Sequence, residues 1–80
     1  MKKYVGNFEL PNTTLKYYIF GDYRRGFGIR IVKNGEECAD EIISRNIFRT
    51  YRLAKLLCRC SVFPGNLCEI VEDLRAGGPG

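Results

Sequence analysis

The residues best suited to chemistry are four cysteines, Cys38, Cys58, Cys60 and Cys68, because the chain has no histidine to act as base, proton shuttle or metal ligand. A zinc site would therefore need all four thiolates. Structural zinc sites place about two to four residues within a ligand pair, whereas Cys58 and Cys60 enclose a single one and would point about 200° apart on a helix. Cys38 stands alone in the sequence. With no secretory leader evident, a disulfide framework is not expected. The spacing predicts reduced, metal-free cysteines that pack as small hydrophobes. Cys68 is the one nucleophile with a physical basis. A helix capped by Asn66 would place it in the first turn, where backbone N–H groups favour a thiolate, although Glu69 beside it opposes this. Ser44 and Ser61 have no evident base, and there is no glycine-rich phosphate loop and no nucleophile elbow. No catalytic residue, metal or cofactor is expected.

The second kind of chemistry is charge. The segment from Arg45 to Arg59 holds five cations and no acid. At about 100° per residue, Arg45, Arg49, Arg52, Lys55 and Arg59 fall within an arc of about 120°. Ile47, Thr50, Tyr51, Ala54, Leu57 and Cys58 take the opposite side. Thirteen cations face nine acids in the whole chain, and without these five the balance is eight against nine. Such a stripe can neutralise phosphates of a nucleic acid or meet an acidic partner. Against that stands a merely solvated face, or one neutralised by the acids of Glu36–Glu41 or of the last helix. The solvated or self-neutralised face is the reading preferred here. Exposure of the stripe without acid partners is the observation that separates nucleic-acid binding through this helix from a protein-interaction module that uses the sheet aromatics or self-association.

Aromatic residues form a third group. Tyr4, Phe8, Tyr17, Tyr18, Phe20, Tyr23 and Phe27 crowd the first half of the chain. Strand alternation puts Tyr17 and Tyr18 on opposite faces. Lys16, Tyr18 and Phe20 then form a candidate exposed interaction face, with cross-strand packing as the favoured alternative. Arg25-Gly26-Phe27-Gly28 begins like an RNA-recognition signature. The match ends at Ile29, where a stacking aromatic is wanted.

The elements that position these residues follow from two periodicities. Alternation predicts strands over 3–10, 14–20, 27–33 and 36–43, with Tyr4, Gly6 and Phe8 on one face of the first. Pro11-Asn12-Thr13, Gly21–Gly26 and Asn34-Gly35 supply the turns. A period of 3.6 predicts helices over 45–60 and 66–75. Asn46 or Ser44 caps the first, and Val62-Phe63-Pro64-Gly65 breaks it. Asn66 and Glu69 echo a capping box for the second, whose apolar stripe is Leu67, Ile70, Val71 and Leu74. Glu69, Glu72 and Asp73 make its outer face acidic. The expected fold is α+β: a four-stranded antiparallel meander followed by two α-helices packed on one sheet face. Residues 1–75 make one small domain and 76–80 a disordered tail.

No apolar stretch approaches the roughly 18 residues of a membrane span, so a soluble cytoplasmic protein is expected, and a bacterial source would suit it. Val5-Gly6-Asn7-Phe8, Leu15-Lys16-Tyr17-Tyr18, Gly28-Ile29-Arg30-Ile31 and the closing run Pro64-Gly65-Asn66-Leu67-Cys68-Glu69-Ile70-Val71-Glu72-Asp73-Leu74 carry a resemblance. By these the chain resembles a family of short uncharacterised proteins of clostridia and related spore-forming Firmicutes. The resemblance implies no established activity and brings no functional residues. The expectation is a small non-catalytic protein-interaction or regulatory module, its partner another protein or a second copy. The alternative is non-specific nucleic-acid binding through the helix 45–60. No membrane and no small-molecule ligand is expected.

Overall fold

The structure, a computed structural model, describes residues 1–75. Period-2 patterning becomes four strands: β1 (Lys2–Leu10), β2 (Thr13–Asp22), β3 (Gly26–Lys33) and β4 (Glu37–Ser44). They pair antiparallel in the order β1-β2-β3-β4, the expected meander. Asn34 and Gly35 both have positive φ, 54° and 71°, as the tight β3–β4 hairpin turn requires. Asn34 also accepts a hydrogen bond from the Thr14 N–H at 2.8 Å, tying this turn to the start of β2.

Two helices follow, α1 (Ile47–Arg59) and α2 (Pro64–Arg75), both on one face of the sheet. Leu15, Tyr17 and Ile19 of β2 and Ile29 and Ile31 of β3 point at them and are fully buried. The helices contribute Ala54, Leu57, Leu67 and Val71. Each large apolar side chain removed from water in this layer stabilises the fold by about 1.5–3 kcal/mol. α1 lies chiefly over β1 and β2, and α2 over β4 and β3. The fold is the α+β arrangement expected from the sequence.

Three local expectations are corrected. A bulge between Tyr4 and Gly6 breaks the alternation of β1. Gly6 pairs with the inward Tyr17, whereas Tyr4 pairs with Tyr18 on the far face, so the two do not share a side. The second correction concerns α2, which starts at Pro64 rather than Asn66. A proline suits the first helical position because its φ is already helical and its missing N–H would be unpaired there anyway. Asn66 therefore lies inside the first turn, its N–H bonded to the Phe63 carbonyl at 3.0 Å, and does not cap the helix. The third is that Arg45 and Cys60 fall outside α1, which runs 47–59. Asn46 caps α1 as expected, its side chain accepting from the Arg49 N–H at 3.1 Å. At the other end the N–H groups of Ser61 and Val62 reach back to the carbonyls of Cys58 and Leu57, both at 3.1 Å, with Ser61 left-handed at φ 49°. The Tyr17 hydroxyl donates to the Val62 carbonyl at 2.8 Å and so pins this turn to the sheet. The expected tail, 76–80, lies outside the described residues.

Candidate functional site

Thr50, Ala54 and Leu57 anchor α1 to the sheet, and this sets the direction of its other side. Arg45, Arg49, Arg52, Lys55 and Arg59 are all exposed. Among the described residues the one ion pair is Arg30–Asp40, on the opposite side of the sheet. No acid therefore pairs with any of the five cations. The expected neutralisation by neighbouring acids is not seen, because the two helices occupy different halves of the sheet. Glu69, Glu72 and Asp73 ride on α2, and Glu37, Asp40 and Glu41 on β4.

An unpaired stripe has an energetic consequence. Arg49–Arg52, Arg52–Lys55 and Lys55–Arg59 are like-charge neighbours at helical spacing, each destabilising by about 0.2–0.5 kcal/mol. The first turn of α1 holds no acid, and Arg45 and Arg49 stand at its N-terminal end. The helix dipole is positive there, so a cation costs about 0.3–1 kcal/mol where an acid would gain as much. The positive surface continues onto β1. Lys3 and Lys55 both lie near the Tyr51 ring, each 5.8 Å from its centroid.

Charge was not the whole of this face. Phe48 is 78% exposed and Leu56 51%, and both stand among the cations. Phe48, Arg49, Arg52, Leu56 and Arg59 line one open, shallow surface along α1. The signal was available in the sequence. The same projection that gathers the five cations places Phe48 and Leu56 within their arc of about 120°.

The other candidate face is built differently. Lys16, Tyr18 and Phe20 point away from the helices, as alternation requires. Tyr18 is met edge-on by Tyr4 at 5.5 Å between centroids, and the Lys2 ammonium lies 4.9 Å above its ring. Phe20 lies over Gly28, where an added Cβ would come within 2.6 Å of its Cζ. The Arg30 guanidinium sits 5.7 Å from the Phe20 centroid and binds Asp40 through two hydrogen bonds of 2.6 and 2.8 Å. That side-chain bond holds the Asp40 carboxyl below the usual carboxylate range and raises Arg30. Tyr18 and Phe20 are consequently half-buried, and only Lys16 of the trio is freely exposed. In the stretch that begins like an RNA-recognition signature, Phe27, Ile29 and Ile31 are buried, so no aromatic of that stretch is presented on the open face.

The thiols are not brought together. Cys38 is exposed on the outer face of β4, Cys60 follows α1, and Cys58 is half-buried with its Sγ 3.5 Å from the Asn7 carbonyl. Burial pushes the Cys58 thiol up. Because α2 begins at Pro64, Cys68 lies beyond the first turn, contrary to expectation. Its thiol contacts a Glu72 carboxylate oxygen at 3.6 Å and is raised chiefly by that charge, the opposite of thiolate activation. Among the described residues no group of three histidine, cysteine, aspartate or glutamate side chains could hold a metal ion, and no helix is long and apolar enough to cross a membrane.

No curated protein and no solved structure shows significant similarity to the chain. A family model does match, over residues 2–77, and it spans the sheet and both helices that carry these two faces. By that match the chain belongs to DUF6514, a family of unknown function.

Proposed function

We propose that this protein is a small non-catalytic interaction module that docks an acidic protein partner on the outer face of α1. The observation that carries this reading is the placing of Phe48 and Leu56, both largely in water, inside a cationic stripe that has no acid partner among the described residues. Interfaces between proteins commonly set apolar anchors within a charged rim, and the anchors carry most of the binding energy. Here Phe48 and Leu56 are the anchors. Arg49, Arg52, Lys55 and Arg59 are the rim, which steers an acidic surface into register. The like-charge spacing supports the same reading, since a partner bringing carboxylates would relieve repulsion that the isolated fold retains. The resemblance to proteins of spore-forming bacteria supports a bacterial, cytoplasmic setting.

A second reading, non-specific nucleic-acid binding, draws on the five unpaired cations alone. Phosphates would use the arginines and a base could stack on Phe48, but a half-exposed Leu56 contributes nothing to phosphate contact. Affinity capture from native extract, with and without nuclease, separates the two. A partner retained after nuclease by the natural chain, and lost from both the Phe48→Ser/Leu56→Ser and the Arg49→Glu/Arg52→Glu variants, is the expected result. Retention abolished by nuclease would transfer the face to nucleic acid. In that case duplex binding should weaken with salt at a slope of about −3 to −4.5 in log K against log salt, from three to five phosphate contacts. Indifference to both double variants would leave α1 a solvated face.

A further inference from the structure

A groove between the two helices adjoins this face. Its floor is Ile43 of β4, Leu53 of α1, and Val71 and Leu74 of α2, and Arg49 and Arg75 stand at its mouth. It lies beside the end of β4, where α1 and α2 settle on different halves of the sheet. Its volume is about 360 Å³, within the roughly 300–1,000 Å³ of clefts that hold ligands. Arg75 is held in place by donating to the Ile42 carbonyl, and its remaining N–H groups are available to a further acceptor. Among the described residues no acid lines the groove. Arg49 belongs to both surfaces, so groove and stripe are continuous.

We propose that this groove takes an apolar side chain of an acidic peptide segment, whose flanking carboxylates are bound by Arg49 and Arg75. The proposal rests on the reading of α1 as a docking face for an acidic protein, and it names the form the partner takes there: an extended or helical segment with a leucine-sized residue between acids. Charge decides the occupant. An apolar floor beneath two guanidinium groups matches an anion attached to an apolar group. A second copy of this chain is the poorer match, because it brings the same net charge of +4 to a groove bordered by two arginines. Fork-shaped guanidinium donors also favour planar carboxylates over spherical charge.

The test is a backbone-amide NMR titration of the 80-residue protein with a capped synthetic peptide carrying a leucine pair flanked by glutamates. The expected result is shifts at Ile43, Leu53, Val71 and Leu74 together with Phe48 and Leu56. Replacing the peptide's leucines by alanine, or Leu74 by glutamate in the protein, should weaken binding about tenfold. Ser44→Trp, which fills the groove from the β4 side, is the second variant should Leu74→Glu melt early. Shifts confined to Phe48, Leu56 and the stripe, with binding unchanged in both variants, would overturn the groove and leave the docking face standing. Shifts confined to the groove would keep this proposal, with Arg49 as α1's contribution, and overturn the part of the docking face that rests on Phe48 and Leu56. A duplex oligonucleotide that moves the stripe when the peptide moves nothing would overturn both.

Discussion

The open side of the sheet and the outer side of α1 are made of the same materials, aromatic rings and cations, and treat them in opposite ways. On the sheet, Lys2 covers Tyr18, Arg30 covers Phe20 and pairs with Asp40, and Phe20 fills the space above Gly28. Among the described residues the rings and Arg30 of that face are answered within the molecule, while Lys16 and Glu9 have no ion-pair partner. On α1, Phe48 stands in water, and among the described residues no acid pairs with Arg49, Arg52, Lys55 or Arg59. Strand pairing brings side chains from neighbouring strands to about 5 Å, so a sheet face can satisfy itself. An outward helix face has only its own i+3 and i+4 neighbours, and here these are like charges. The first face is largely paired within the fold, whereas among the described residues the cations of the second have no acid partner.

The sharpest way to break the comparison is Gly28→Ala. Its Cβ would meet the Phe20 ring and the Glu41 carbonyl of the paired strand, so both the aromatic cover and the β3–β4 ladder must shift. A loss of about 1–3 kcal/mol in denaturant unfolding is expected. An unchanged midpoint would show that the sheet face is not packed as described. On the other face, Arg49→Glu should do the reverse and raise stability by about 0.3–1 kcal/mol, because it replaces the like-charge contact with Arg52 by an opposite-charge one and places an acid at the helix N-terminus. The gain should be read at low ionic strength and should fade with added salt. Destabilisation would mean that Arg49 has a structural partner.

Smaller effects sharpen the contrast. Arg30→Ala should cost under about 1 kcal/mol, since the pair is more than a third exposed, but should visibly loosen the Phe20 ring in NMR line shapes. Phe48→Ser should change stability by no more than about 0.5 kcal/mol, as expected for an exposed site, while removing any partner. The smallest effect is in acid. Asp40, bonded by Arg30, and Asp22, which accepts from the Arg25 and Arg24 N–H groups, have carboxyls held below their ordinary 3.8. A depressed folded-state value means that their contribution is complete above 3.8 and is lost as pH falls below it. An acid titration of unfolding should therefore show a shallow decline starting there, reduced in Asp40→Asn.

What the sequence by itself determined was whatever depends on neighbours along the chain. Alternation in Leu15–Phe20 and Phe27–Ile31, the Asn34-Gly35 turn, the Asn46 cap and the 3.6-residue spacing of Arg49 to Arg59 are local properties, and each reappears in the fold. Where local signals competed, the reading strayed. Asn66 offered a cap, but Pro64 was already suited to begin the helix, and Cys68 moved out of the first turn with that change. The bulge that sends Tyr4 to the far face falls at Gly6, a residue type that marks strand bulges, but only the pairing with β2 fixes the register. The tertiary structure alone decided the distances between segments far apart in sequence. It set α1 and α2 on separate halves of the sheet, beyond mutual neutralisation, and it brought Arg30 to Asp40 while bringing no acid to Arg49 or Arg52. Charge pairing depends on separations of a few ångströms, which only packing sets, so the sequence could place a cationic stripe on a helix but not say whether it was already answered.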